Sequence, residues 1–226
     1  MPSGVYLQGG QGSQKPGLQV NSDLLWGAIF AALKPYDYSG PQSSIQYGHY
    51  QLGIAFANTA AQAGPLFTYR WANTPQLMVP VRISMSVVLT TAFTTPQVID
   101  VKATIARAYT VSATGGTAAT PFSGNSAKMR TSMGTSLVTD MRWGNVTAGT
   151  RTLDAQPFAV SVLSSGNTAL AGVLPQEDVY NIFNPGQHPI VHAVNEGIEI
   201  SANTALGAAG VLTYYVTIAW AEVAVF

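Results

Sequence analysis

Residues 186–226, GQHPIVHAVNEGIEISANTALGAAGVLTYYVTIAWAEVAVF, decide the fold. The stretch reads as three strands. An apolar run at Pro189–Val194 meets a polar corner, Asn195-Glu196-Gly197. A second run, Ile198–Ala202, leads into a loop of small residues, and a long strand fills Val211–Phe226. On that last strand Leu212, Tyr214, Val216, Ile218 and Trp220 share one face, and Thr213, Tyr215 and Thr217 line the other. A strand this apolar and aromatic needs neighbours on both sides. It is read as an inner strand of a β-sandwich, with Asn195-Glu196-Gly197 as the turn between the two strands that precede it.

The rest of the chain is consistent with that reading. Its 226 residues suit one β-sandwich domain carrying an extended arm. Hydrophobic residues make up 47%, enough for a core, while charged residues are only 9% against the roughly 25% usual for soluble domains. Ten basic and ten acidic side chains leave no net charge to gather nucleic acid or an anionic membrane. So weakly charged a surface favours association, because little repulsion keeps copies apart. The chain has no cysteine, which excludes disulfides, thiolate metal sites and a cysteine nucleophile. The N-terminus lacks the basic start and apolar core of a secretory signal, so synthesis is expected in the cytosol. Leu24–Leu33, the longest apolar run, has about half the length of a membrane-spanning helix.

In order, residues 1–47 form an arm. Its first twenty residues are rich in Gly, Gln, Ser and Pro, and cannot bury enough apolar surface to fold alone. A capping Asn21-Ser22-Asp23, the run LLWGAIFAAL, Lys34 and Pro35 then spell one short helix near 22–33. The sandwich domain is placed at 48–226; Tyr36–Ala63 is turn-rich, with apolar patches at Ile45–Tyr50 and Leu52–Phe56, and reads as extended chain with one or two short strands. Pro65–Trp71 reads as a strand. Met78–Thr90 and Val98–Tyr109 alternate with period two, and Thr91–Gln97 turns between them. Thr110–Asn125 reads as a loop, Leu137–Trp143 as a strand, Gly144–Thr152 as a turn, Leu153–Ser164 as a strand and Leu170–Pro185 as a surface connection.

The sum is about eight strands with no helix between most of them, which predicts an all-β, two-sheet sandwich of jelly-roll type. An immunoglobulin-like sandwich is disfavoured, because its Cys–Trp–Cys hallmark is missing.

Several groupings could carry chemistry, and each has a blander reading. His188 and His192 are four apart on an expected strand, and Glu196 or Glu199 could complete a metal site. Pro189 between them and the sparse acids favour ordinary surface or hydrogen-bonded histidines. A serine triad using His49 and Asp154 can be written down, but GxSxG is absent and serine is common enough to pair by chance. Glu177-Asp178 or Glu196 with Glu199 are weak candidates for a glycosidase pair. Gly9-Gly10-Gln11-Gly12 is no phosphate loop, since no strand precedes it and no GK[ST] follows. Asn145-Val146-Thr147 matches a glycosylation triplet that has no secretory route to serve it. Tyr6, Tyr36, Tyr38, Tyr47 and Tyr50 either form an interface or seal the sandwich under a long connection. Stacking on single-stranded nucleic acid would want interleaved Lys and Arg, which are too few. The balance predicts no catalytic, cofactor or metal residues and no enzyme.

Taken together, five blocks resemble a family of tailed-bacteriophage and prophage structural proteins. They are His49-Tyr50, Phe67-Tyr69-Arg70-Trp71, Arg130-Thr131-Ser132-Met133, the His188–Gly197 corner and Trp220-Glu222-Val223, in the family's order from about Gly48 to Val223. His192 departs from the family pattern, which prefers an apolar residue there. The resemblance implies a virion component made in the bacterial host cytoplasm. The expected role is a decoration or cement protein on the capsid surface, in contact with the major capsid protein. The expected assembly is a homo-oligomer, taken as a trimer, with no direct nucleic-acid or membrane partner. The alternative is a tail-fibre or receptor-binding protein holding host glycan in its loops.

Overall fold

The computed structural model describes residues 48–59, 63–119, 127–129, 131, 134–138, 140–165, 173–183, 188–207 and 209–223. The expected arm, its helix near 22–33 and the tyrosines at 6, 36, 38 and 47 lie outside the described residues.

Eleven strands form among the described residues. They are β1 (Gly48–Thr59), β2 (Gly64–Trp71), β3 (Leu77–Thr91), β4 (Gln97–Arg107), β5 (Thr114–Ala118) and β6 (Asp140–Thr147). After these come β7 (Thr152–Leu153), β8 (Ala159–Ser165), β9 (Val173–Asn181), β10 (Glu196–Ala202) and β11 (Val211–Val223). One sheet has the order β1-β11-β3-β9, the other β5-β6-β2-β10-β4-β7, with β8 also on β4. Every named pairing is antiparallel. The chain is an all-β, two-sheet sandwich, as its alternating patterns require.

β11 lies between β1 and β3, so the strand that decided the sequence reading is an inner one. Leu212, Tyr214, Val216, Ile218 and Trp220 are all buried, while Tyr215 on the opposite face is exposed. Two aromatic pairs cross from β1 to β11 at directly opposed positions. Tyr50 stacks on Trp220 with ring centroids 5.5 Å apart, and Phe56 on Tyr214 at 5.4 Å. Such cross-strand pairs add to the area term and pin the register. Tyr50 is therefore a sealing residue on a regular strand, not part of an exposed tyrosine cluster.

Pro80 sits in β3, an inner strand where a missing N–H would break the ladder. The β3–β11 register shifts there, between Ala219 opposite Arg82 and Trp220 opposite Pro80. The resulting bulge absorbs the proline.

Several expectations are corrected. Pro189–Val194 is not a strand: it meets β3 through one bridge, Met78 with His192, and then crosses to the other sheet. Pro189 lacks the donor a ladder would need. Leu170–Pro185, expected as a connection, contains β9. That strand is an edge, where Pro175 and the charges of Glu177 and Asp178 are tolerated. Thr110–Asn125 likewise contains the edge strand β5, whose Gly115 and Gly116 both have positive φ. The strand expected at Leu137–Trp143 begins at Asp140 and runs on through the expected turn to Thr147. Leu153–Ser164 divides into β7 and β8.

Candidate functional site

Of the five blocks that stand out in the sequence, one has Arg130, Ser132 and Met133 outside the described residues, and the other four contribute to two clusters. The first lies where β1 and β11 pair. Glu222 follows Trp220 on the core-facing side of β11 and is buried with it. Its Oε1 accepts hydrogen bonds from the Ser136 hydroxyl at 2.6 Å, the Leu137 backbone N–H at 3.0 Å and the Trp220 indole N–H at 3.2 Å. Burial pushes the carboxyl up to about 7, and these hydrogen bonds hold it down only in part. The Tyr50 hydroxyl donates to the Gly134 carbonyl at 3.1 Å, and Asn73 donates to the Leu137 carbonyl. Segment 134–138 is thus tied to the first strand, the last strand and the turn after β2.

The second cluster lies around the end of the larger sheet where β2, β10 and β4 meet. Asn195 makes the corner with φ of 68°, a left-handed conformation that Asn tolerates better than most residues. Its N–H donates to the Trp71 carbonyl at 2.7 Å, and its carbonyl accepts from the Tyr109 N–H at 3.0 Å. Its side-chain Oδ1 accepts from Arg70 Nη2 at 2.6 Å and Nε at 3.2 Å. Glu196 accepts from Arg107 Nη1 at 2.8 Å and from the Ala193 N–H at 3.0 Å. Arg107 also forks onto Asp154, at 2.7 and 3.1 Å. Gly197 has no room for a side chain, because a Cβ would lie 1.9 Å from the Tyr69 carbonyl oxygen. Beside the corner, buried Glu199 is held by Arg151 Nη2 at 2.5 Å and Nε at 2.8 Å. Burial raises the Glu199 carboxyl above its ordinary range, and Arg151 opposes the shift.

These contacts settle where the candidate residues lie. His188 is exposed with Nδ1 on the Pro189 carbonyl, whereas His192 is buried edge-on against Tyr69. Burial lowers His192 to about 3, so its ring is neutral. Glu196 and Glu199 are engaged by arginines and do not join the histidines. Among the described residues no group of three or more His, Asp or Glu is placed to hold a metal ion. His49 lies on β1 of the smaller sheet, while Asp154 is bound to Arg107 beside the larger one. Glu177 accepts from Ser161 and Asp178 pairs with Arg82, each in a surface contact. Asn145 is exposed on β6. A void between the sheets, lined by residues such as Met85, Val101 and Ile200, leaves no room for a water molecule.

The described arginines, 70, 82, 107, 142 and 151, all have acceptor partners. Chemically the two clusters hold chain segments together, and the hydroxyl–carboxylate pair they contain, Ser136 with Glu222, is buried. Sequence reasoning passed over Glu222 and Ser136 as individuals. The available signal was Glu222 continuing the parity of Leu212 to Trp220, an acid on a core face.

Comparison with protein-family models, with curated proteins and with solved structures finds no match.

Proposed function

We propose that this chain is a non-enzymatic structural protein of a tailed-bacteriophage virion, a capsid decoration or cement protein acting as a homo-oligomer. The observation that carries the reading is the fate of the resemblance-bearing blocks. Tyr50 and Trp220-Glu222 share one internal lock, and Tyr69-Arg70-Trp71 and Asn195-Glu196-Gly197 share the other. Residues that would be the chemistry of an enzyme are here fasteners of a scaffold. A low charge content supports the same reading, since it suits a subunit whose surface is covered in an assembly. The sandwich would rest apolar patches on neighbouring copies and on the major capsid protein, with a trimer as the expected closed form.

Cryo-EM of intact particles carrying a tagged copy tests this directly. Density on the outer head surface is expected, together with binding of the purified protein to expanded shells. Density confined to the tail tip would replace this reading with glycan binding at the host surface. A monodisperse monomer that ignores shells would remove the cement role.

A further inference from the structure

The outer face of β4 and β8 carries three of the most exposed large apolar side chains among the described residues. Val98 is 66% exposed, Val162 59% and Val160 54%. The antiparallel register places Asp100 beside Val162 and Lys102 beside Val160, with Val98 one step along β4. The inward residues of β4, Ile99, Val101 and Ala103, are buried in the core, so these side chains have no packing role inside the subunit. Solvent-facing positions of a strand are normally polar, and three clustered valines there mark a contact surface.

We infer that this face is a two-fold contact between two copies of the chain. The charge order selects the partner. Asp100 and Lys102 follow one another on the same face, 4.0 Å apart at their closest charged atoms. A two-fold axis in the plane of the contact, crossing β4 at Val101, sets Asp100 of each copy over Lys102 of the other. The same rotation sets Val162 over Val160 of the second copy. An isologous contact requires this kind of self-complementarity, whereas a partner of one charge sign would meet a like charge at one of the two positions. The inference rests on the self-association proposed above and specifies its geometry. The contact makes a dimer by itself, or joins trimers in pairs.

Sedimentation velocity over a range of concentrations reads the outcome on purified protein, without any phage particle. Wild type is expected to show two-fold association. The Val160→Asp/Val162→Asp variant is expected to abolish it while keeping the wild-type melting temperature. Lys102→Asp, which leaves the Thr204 hydrogen bond to Asp100 in place, should weaken association at least about tenfold. The swap Asp100→Lys/Lys102→Asp should bring it back. Because the chain has no cysteine, a mixture of Val160→Cys and Val162→Cys protein provides a register-specific disulfide. It should form a covalent dimer faster than either variant alone. The inference is overturned by concentration-independent monomer, by two-fold association that survives the double aspartate variant, or by a charge swap that behaves like Lys102→Asp. Those results would leave the head-or-tail location to its own experiment.

Discussion

Asn195 shows how one residue can serve backbone and side chain together. Its left-handed φ costs an alanine about 1–2 kcal/mol, and its Oδ1 satisfies the Arg70 guanidinium. Losing a charged hydrogen bond costs about 1.5–3 kcal/mol. Urea unfolding should therefore rank Asn195→Ala as the most damaging of three changes at this position, by about 2.5–5 kcal/mol in total. Asn195→Gly should fall between it and wild type, and Asn195→Asp should be the mildest because it keeps an acceptor for Arg70. Equal effects for Ala and Gly would mean that the backbone conformation carries no cost. Glu222 supplies a pH signature. Its carboxyl titrates near 7 in the fold against 4.5 when unfolded, so between those values the folded state holds a proton that the unfolded state has lost. Unfolding then releases a proton, and rising pH favours it. This contribution is fully present below pH 4.5 and is lost as pH approaches 7. Glu222→Gln has no such proton, so its stability relative to wild type should grow across that window by up to about 3 kcal/mol. His192, neutral in the fold, acts in the opposite sense between about 3 and 6.5. The readout is therefore the difference between variant and wild type, and a difference that stays level from pH 4.5 to 7 would refute the buried-acid assignment.

At the scale of the element, β11 rests on Trp220, which is fully buried and stacked on Tyr50. Trp220→Ala should cost about 3–5 kcal/mol, measured by thermal or urea melting. A neutral result would remove β11 from the centre of the sheet. The same strand shows why parts of the fold were legible. Where a strand has one buried and one open face, as in β3, β4 and β11, period-two alternation writes its position directly into the residues. The signal fails at edges. β9 carries Pro175 and paired acids because an edge must resist pairing, and β5 is nearly all Thr, Gly and Ala with no buried face. The signal weakens in β1, where Gly53, Ala55 and Ala57 stand on the outer face beside Ile54 and Phe56, so that a strand of 12 residues reads as one or two short ones. The candidate site was legible only in part. The Asn195 corner was visible as turn chemistry, but its arginine partners come from β2, β4 and the strand-free turn at Arg151, far apart in sequence. Nothing local foretells that Arg70 lies 125 positions from its acceptor.

For the whole molecule, pairing of β1 and β3 with β11 has a temporal meaning. Tyr50 finds Trp220 across 170 positions of chain, and β3 needs the same late strand on its flank. Until β11 is made, β1 has no partner in the smaller sheet and β3 is paired on its β9 side alone. Early segments expose an apolar face meanwhile, and so many non-local pairings make for slow folding. Chains truncated before Val211 should be protease-sensitive throughout the smaller sheet, while full-length chains resist; a stable protease-resistant fragment containing β1 and β3 without β11 would contradict this order of events. A subunit of this design cannot present a finished smaller-sheet surface before β11 has emerged. Any contact made through that sheet must wait until β11 has been synthesised.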